Sequence, residues 1–221
     1  MASPEKAAFL PRFFKTGPGE YGEGDIFLGV TVPEIRSIAK KYHDMPLSDV
    51  VKLLHDEHHE CRFCALCIMT YCYPKMPEII TSTYLENTQY VNNWDLVDLS
   101  ANKIIGAYCR TSNNNDIVYK LSSSPDLWEK RISIVACLEY YRHGELGPGL
   151  EIIQKHLFDS HDLIQKANGW MLREIYKCVD EKIVEEFLVG NYKKVPRTTL
   201  RYAIERMPES KRQQFLKGNF S

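Results

Sequence analysis

At 221 residues, with 44% hydrophobic residues, 26% charged residues and a net charge of −1, the chain reads as an ordinary soluble globular protein, long enough for a sizeable core. The near-zero net charge argues mildly against a nucleic-acid function, and the longest apolar stretch, Cys64 to Tyr73, is too short to cross a bilayer. Met1 to Gly19 has no apolar core of signal-peptide length, and the seven cysteines are odd in number. The expectation is therefore reduced thiols and an intracellular location: cytoplasm (nucleoid) if bacterial, nucleus if eukaryotic.

Residues 1–30 are the irregular N-terminal segment, with a glycine-rich stretch at 15–30. Gly17-Pro18-Gly19-Glu20-Tyr21-Gly22 has the letters of a dinucleotide fingerprint. Its context excludes that reading, because no apolar strand precedes it and no helix opens after it. Beyond it helical periodicity dominates and strand alternation is hard to find. The first helix of each successive hairpin is expected near 34, 59, 93, 126, 161 and 196, most steps being about 33–35 residues. That period belongs to stacked helix pairs, none of which buries its apolar face alone. The fold expected is all-α, a curved solenoid of stacked antiparallel helix pairs (HEAT-like repeats), in one domain spanning 1–221.

Around 55–60, His55 and His59 are spaced i,i+4 among acids, which could chelate a metal. The simpler expectation is a solvated connection between helices. Cys61, Cys64, Cys67 and Cys72 faintly resemble an iron–sulfur run, but they lie in a helical stretch with no glycine to bend around a cluster. Cys64 and Cys67 are expected to pack as small apolar groups. No metal and no cofactor is expected.

Next comes Asn93-Trp94-Asp95-Leu96-Val97-Asp98, which places Trp94 and Asp98 on one helical face at i,i+4. Burying Asp98 unpaired would cost several kcal/mol, so it should face a cleft or a capping partner. A polar break at 122–125 precedes Leu127-Trp128-Glu129-Lys130-Arg131, where Arg131 is either a surface ion pair or a guanidinium bridging carboxylate and phosphate. Leu163, Ile164, Ala167, Met171, Leu172 and Ile175 form a helical stripe, with Ser160 or Asp162 as its capping candidate. On that helix Trp170 lies between Lys166 and Arg173, a pattern that suits a wet groove. From 190 to 217 the basic C-terminal helices carry eight lysines and arginines, Arg197 and Arg201 among them, against Glu205 and Glu209. Such a local surface can attract phosphate even when the whole chain is near neutral. Two indoles near a carboxylate make a cradle for a cationic aromatic ligand such as a damaged nucleobase.

These segments resemble the DNA alkylation repair glycosylases of the AlkD type, along nearly the whole chain. Phe27-Leu28-Gly29-Val30 with Pro33 and Arg36 is similar to the family's N-terminal signature, and Asn93 to Asp98 to its Trp-Trp-Asp-x-Val-Asp motif. Leu127 to Arg131 resembles its Leu-Trp-x-x-Arg segment, Lys166 to Glu174 its Lys-Ala-x-Gly-Trp-x-Leu-Arg-Glu block, and Pro196 to Ala203 the closing helix of one branch. Asn93, where many members carry a tryptophan, and Asn168, where an apolar residue is usual, depart from the pattern.

The resemblance implies a catalytic set of Asp98, Trp94, Trp170 and Arg131, and phosphate contacts from Lys166, Arg173, Arg197 and Arg201. It implies hydrolysis of the N-glycosidic bond of N3- and N7-alkylpurines in double-stranded DNA, with the duplex gripped by a monomer and the base left largely stacked. The alternative is a non-catalytic helical-repeat module binding structured DNA or a protein partner, since some members keep the fold and lose the chemistry.

Overall fold

The computed structural model describes residues 2–220. The chain divides into two compact units, residues 1–104 and 105–221, and each is taken by itself.

In the first unit, α1 (Pro4–Phe14) opens on Ser3, whose side chain accepts from the Lys6 amide. Three turns on, Lys15 ends it in the left-handed region. A run of turns follows, as the glycine-rich stretch requires. Then α2 (Val32–Lys41) starts with a capping box between Thr31 and Glu34, and α3 (Leu47–Leu54) leads to α4 (His59–Cys72). α5 (Pro77–Glu86) and α6 (Trp94–Ala101) complete the unit. α4 is its central helix, buried from His59 to Met69 apart from Cys61, with Cys64 and Cys67 in the apolar interior as expected. α2, α3 and α6 all pack against it. After α6 the backbone widens into a π-helical turn, Asn102–Gly106.

The second unit holds α7 (Ala107–Ser112), α8 (Asp116–Ser122), α9 (Leu127–Ala136), α10 (Leu138–Arg142) and α11 (Gly149–Lys155). It continues with α12 (Asp162–Cys178), α13 (Glu181–Asn191), α14 (Arg197–Ala203) and α15 (Glu209–Lys217). α12 is the longest and packs on α9, α10, α13 and α14. The stripe from Leu163 to Ile175 is its buried face. Its N-cap is His161, whose Nδ1 accepts from the Leu163 amide at 3.2 Å. That corrects the expectation of Ser160 or Asp162; Asp162 is the first helical residue.

Helices begin at His59, Trp94, Leu127, Asp162 and Arg197, each within one residue of its expected start, and α2 begins at Val32, two residues before the expected 34. Among the described residues no strand forms, and an isolated parallel bridge joins Ile26 to His58. None of their helices is long and apolar enough to cross a membrane.

Candidate functional site

The first unit contains a cavity of about 810 Å³. Phe9, Phe13, Phe14, Phe27, Phe63 and Trp94 give it an aromatic wall, and Asp98 lies in its lining. Three helices and the loop before α2 bring these groups together. α1 supplies Phe9 and Phe13, 64% and 52% exposed, which leave apolar surface open to solvent. α4 supplies His59, Glu60 and Phe63.

α6 supplies Trp94 and Asp98, one turn apart on the face that the i,i+4 spacing predicts. The indole stacks on Phe14, with ring centres 5.7 Å apart, and meets Phe13 edge-on at 5.9 Å. Such pairs contribute about 0.5–1.5 kcal/mol each beyond area burial, so Trp94 is a seated ring. Asp98 is half-buried. Its charge reaches Tyr84, whose phenol burial already pushes above its usual range.

Asn93, the departure from the family pattern, is the N-cap of α6. Its Oδ1 accepts from the Trp94 amide at 2.9 Å, and its Nδ2 donates to Asp25 at 3.4 Å. A capping amide therefore stands where the pattern has an indole, and it ties the start of α6 to the glycine-rich loop.

Beneath this lies a buried ionic network. His59 is 3% exposed and uses both ring nitrogens, Nδ1 to Asp25 at 3.0 Å and Nε2 to Asp95 at 2.8 Å. Arg62 donates to the other oxygen of Asp25 at 2.5 Å. Burial alone would pull the imidazole's pKa down. Hydrogen bonds and charge from Asp25 and Asp95 outweigh it and raise it to about 9. Burial likewise opposes Asp25's charge, yet His59 and Arg62 hold its carboxyl below the usual range.

The solvated-connection reading holds for residues 55–58, where His55 is exposed and His58 half-buried, and is overturned at His59, which is buried. His55 donates from Nε2 to Asn87 at 2.6 Å and stacks on Tyr90, so the i,i+4 pair does not chelate. Next along α4, Glu60 accepts from the amides of Leu28, Gly29 and Val30 at 3.0, 2.8 and 3.3 Å. Gly29 has φ +77, and a Cβ there would stand 2.1 Å from the Ser3 carbonyl, so the Phe27–Val30 motif needs that glycine.

Asp25, His59 and Arg62 are the residues that sequence reasoning missed. Asp56, His58 and Cys61 could hold a metal ion, with ligand atoms within 4.8 Å of one another. Asp56 is engaged there in accepting from the His58 amide and ring, each at 2.8 Å.

The second unit carries the other expected residues. Arg131 is 4% exposed, and its Nη1 donates to the Leu163 carbonyl at 2.6 Å. It thus ties α9 to the first turn of α12. Trp170 is half-buried and donates from Nε1 to Glu174 at 3.3 Å. Lys166 pairs with Asp162 at 2.6 Å, and Arg173 pairs with Glu205 and with Glu174. Arg197 and Arg201 project from α14 into solvent.

Gly169 explains the close approach of α12 and α14, since a Cβ there would meet Tyr202 Cβ at 2.4 Å and the Thr199 carbonyl at 2.5 Å. Gly169→Ala is expected to destabilise this unit by about 1–3 kcal/mol, read by denaturant unfolding; an unchanged midpoint would show that the helices part freely. Asn168, the second departure, is fully buried and donates to the His156 carbonyl at 2.9 Å. It serves the interior of the unit.

A family model described as DNA alkylation repair enzyme matches residues 1–207. No curated protein matches. Among solved structures, one described as "Predicted DNA alkylation repair enzyme from Enterococcus faecalis" superposes with a TM-score of 0.73 at 17% identity. The match covers 95% of this chain and 98% of that one, a likeness of fold.

Proposed function

This chain belongs to the DNA alkylation repair enzyme family, and from that premise we propose that it is a DNA glycosylase releasing cationic N3- and N7-alkylpurines from duplex DNA. The observation that carries the reading is the pairing of Trp94 with Asp98 in the lining of one aromatic cavity.

The chemistry suits that pairing. Alkylation at N3 or N7 makes the purine cationic and weakens its bond to C1′ of the sugar. The bond breaks with its electron pair leaving on the base, which departs neutral, while positive charge builds on the deoxyribose. The Asp98 carboxylate stabilises that charge and orients a water whose oxygen bonds to C1′, its proton passing to the carboxylate or solvent. Trp94 presents aromatic surface to the cationic lesion, an attraction of about 0.5–2 kcal/mol. That is enough to favour charged bases and too little to catalyse by itself.

Trp170 is proposed to act with Trp94 and Asp98 in the same reaction, and Arg131, the other residue the resemblance implies, is proposed as a positioning residue. For Arg131, burial and the bond to Leu163 support action through α12, whose first turns it fixes. Lys166, Arg173, Arg197 and Arg201 are proposed to meet phosphates without reading sequence. Arg197 and Arg201 are the most available of these, because Lys166 and Arg173 already hold carboxylates.

The reading is tested by incubating the purified protein with alkylated duplex DNA and assaying free N3-methyladenine and N7-methylguanine. Release above the spontaneous rate supports it. Binding without release would leave the non-catalytic module. A further expectation concerns the basic helix: Arg197→Ala with Arg201→Ala weakens duplex binding and lowers the slope of log K against log salt by about 2. A slope equal to that of the unaltered protein removes α14 from the DNA surface.

A further inference from the structure

We propose that His59 is the positioning residue of this site: its ring, clamped between Asp25 and Asp95, sets the first turn of α6 and so aims Trp94 and Asp98. The proposal rests on the reading that Asp98 acts in base release.

The geometry makes the charge state plain. Carboxylates accept and do not donate, so a ring bonded to Asp25 at 3.0 Å and to Asp95 at 2.8 Å carries a proton on each nitrogen. Removing either proton turns a lone pair towards a carboxylate.

Both arms of the clamp end on α6. Asp95 takes the imidazolium on one oxygen and caps its own first turn with the other, which accepts from the Leu96 amide at 2.9 Å. Asp25 reaches the same turn through the Asn93 cap. A third route is aromatic: the His59 ring lies 4.7 Å from Phe14, and Phe14 stacks on Trp94. Loss of the imidazolium charge therefore loosens the backbone that carries Trp94 and, one turn on, Asp98.

The charged groups around the ring are Asp25 from the loop, Asp95 and Asp98 from α6, and Glu60 and Arg62 from α4. Glu5 and Lys6 of α1 and Arg36 of α2 line the same cavity. Burial opposes the charge of His59, while Asp25 and Asp95 hold its pKa at about 9. The clamp is closed at neutral pH and opens on the alkaline side.

The experiment measures single-turnover release of N3-methyladenine between roughly pH 7 and 10, corrected for spontaneous loss, in the full chain and in His59→Gln. The full chain should lose at least about tenfold in rate through pH 9, whereas the variant should be slower by a similar factor at neutral pH and flat above it. Duplex affinity should stay within about twofold.

Where His59→Gln fails to fold, Asp95→Asn removes one arm, keeps the Asp25–His59 pair, and should slow release by the same order. A second readout does not need catalysis. With Trp128→Phe and Trp170→Phe, the emission of Trp94 should titrate near pH 9, and His59→Gln should abolish that transition. Titration without base release by any form would sink the glycosylase reading and leave the clamp standing. Release by folded His59→Gln or Asp95→Asn at the unaltered rate, or a Trp94 signal flat through pH 9, overturns the proposal.

Discussion

Asp98→Asn should lower single-turnover release of alkylated purines by on the order of 10²–10³-fold, the cost of removing one preorganised electrostatic contact to a developing charge. The amide keeps the size and polarity of the carboxyl, so the shape of the cavity lining beside Trp94 and Leu99 is kept. Only the negative charge goes. Duplex affinity should therefore stay within about twofold, because phosphates are met by cations elsewhere. Retained affinity with lost release separates a role in the transition state from one in binding. If the variant releases base at the unaltered rate, Asp98 has no part in the chemistry.

Asp25→Ala should be the most destabilising single change in the first unit, by about 3–5 kcal/mol. Asp25 is 7% exposed and is shared by His59 and Arg62 on α4 and by Asn92 and Asn93 before α6. Its removal leaves a guanidinium and an imidazolium buried with one carboxylate, Asp95, still on the ring. The pH dependence follows with a definite sign. The pKa of His59 is raised from 6.5 to about 9. The stability it contributes, about 3 kcal/mol at most, is present in full below pH 6.5 and is lost as pH climbs through 9. Asp25 has the opposite sign, since a lowered carboxylate contributes stability that is lost as pH falls through its folded value. Chemical denaturation of the unaltered protein and of Asp25→Ala at pH 6.5 and pH 9 measures both effects. The variant should start lower and lose less between the two. Equal losses would show that Asp25 does not hold the charge on His59.

The helical frame was legible because its signals are local. Asp126 before α9 is a capping side chain that accepts from the Trp128 and Glu129 amides, and the apolar stripe of α12 follows the 3.6-residue period. The pairing of Trp94 with Asp98 was equally local, being one turn of one helix. The ionic network was not legible. Asp25 lies in a turn with no period to place it, and its partners are 34 and 37 residues away. His59 stands in a run of polar residues that resembles a solvated link, and only tertiary packing buries it. The partners of Arg173 and Trp170 were hidden for two different reasons. Glu205 is 32 residues from Arg173, whereas Glu174 is one turn from Trp170, where spacing alone gives equal weight to the flanking cations Lys166 and Arg173. Asn93 departs from the family motif, and its capping of α6 gives that departure a structural reason.

The most direct measurement follows both products of one incubation. Duplex DNA bearing N3-methyladenine is treated with the purified protein, and mass spectrometry quantifies free base and abasic sites over time. Hydrolysis at the glycosidic bond predicts equal amounts of the two, rising with protein concentration. Duplex that is bound while every methylated base stays attached to its sugar would contradict the account.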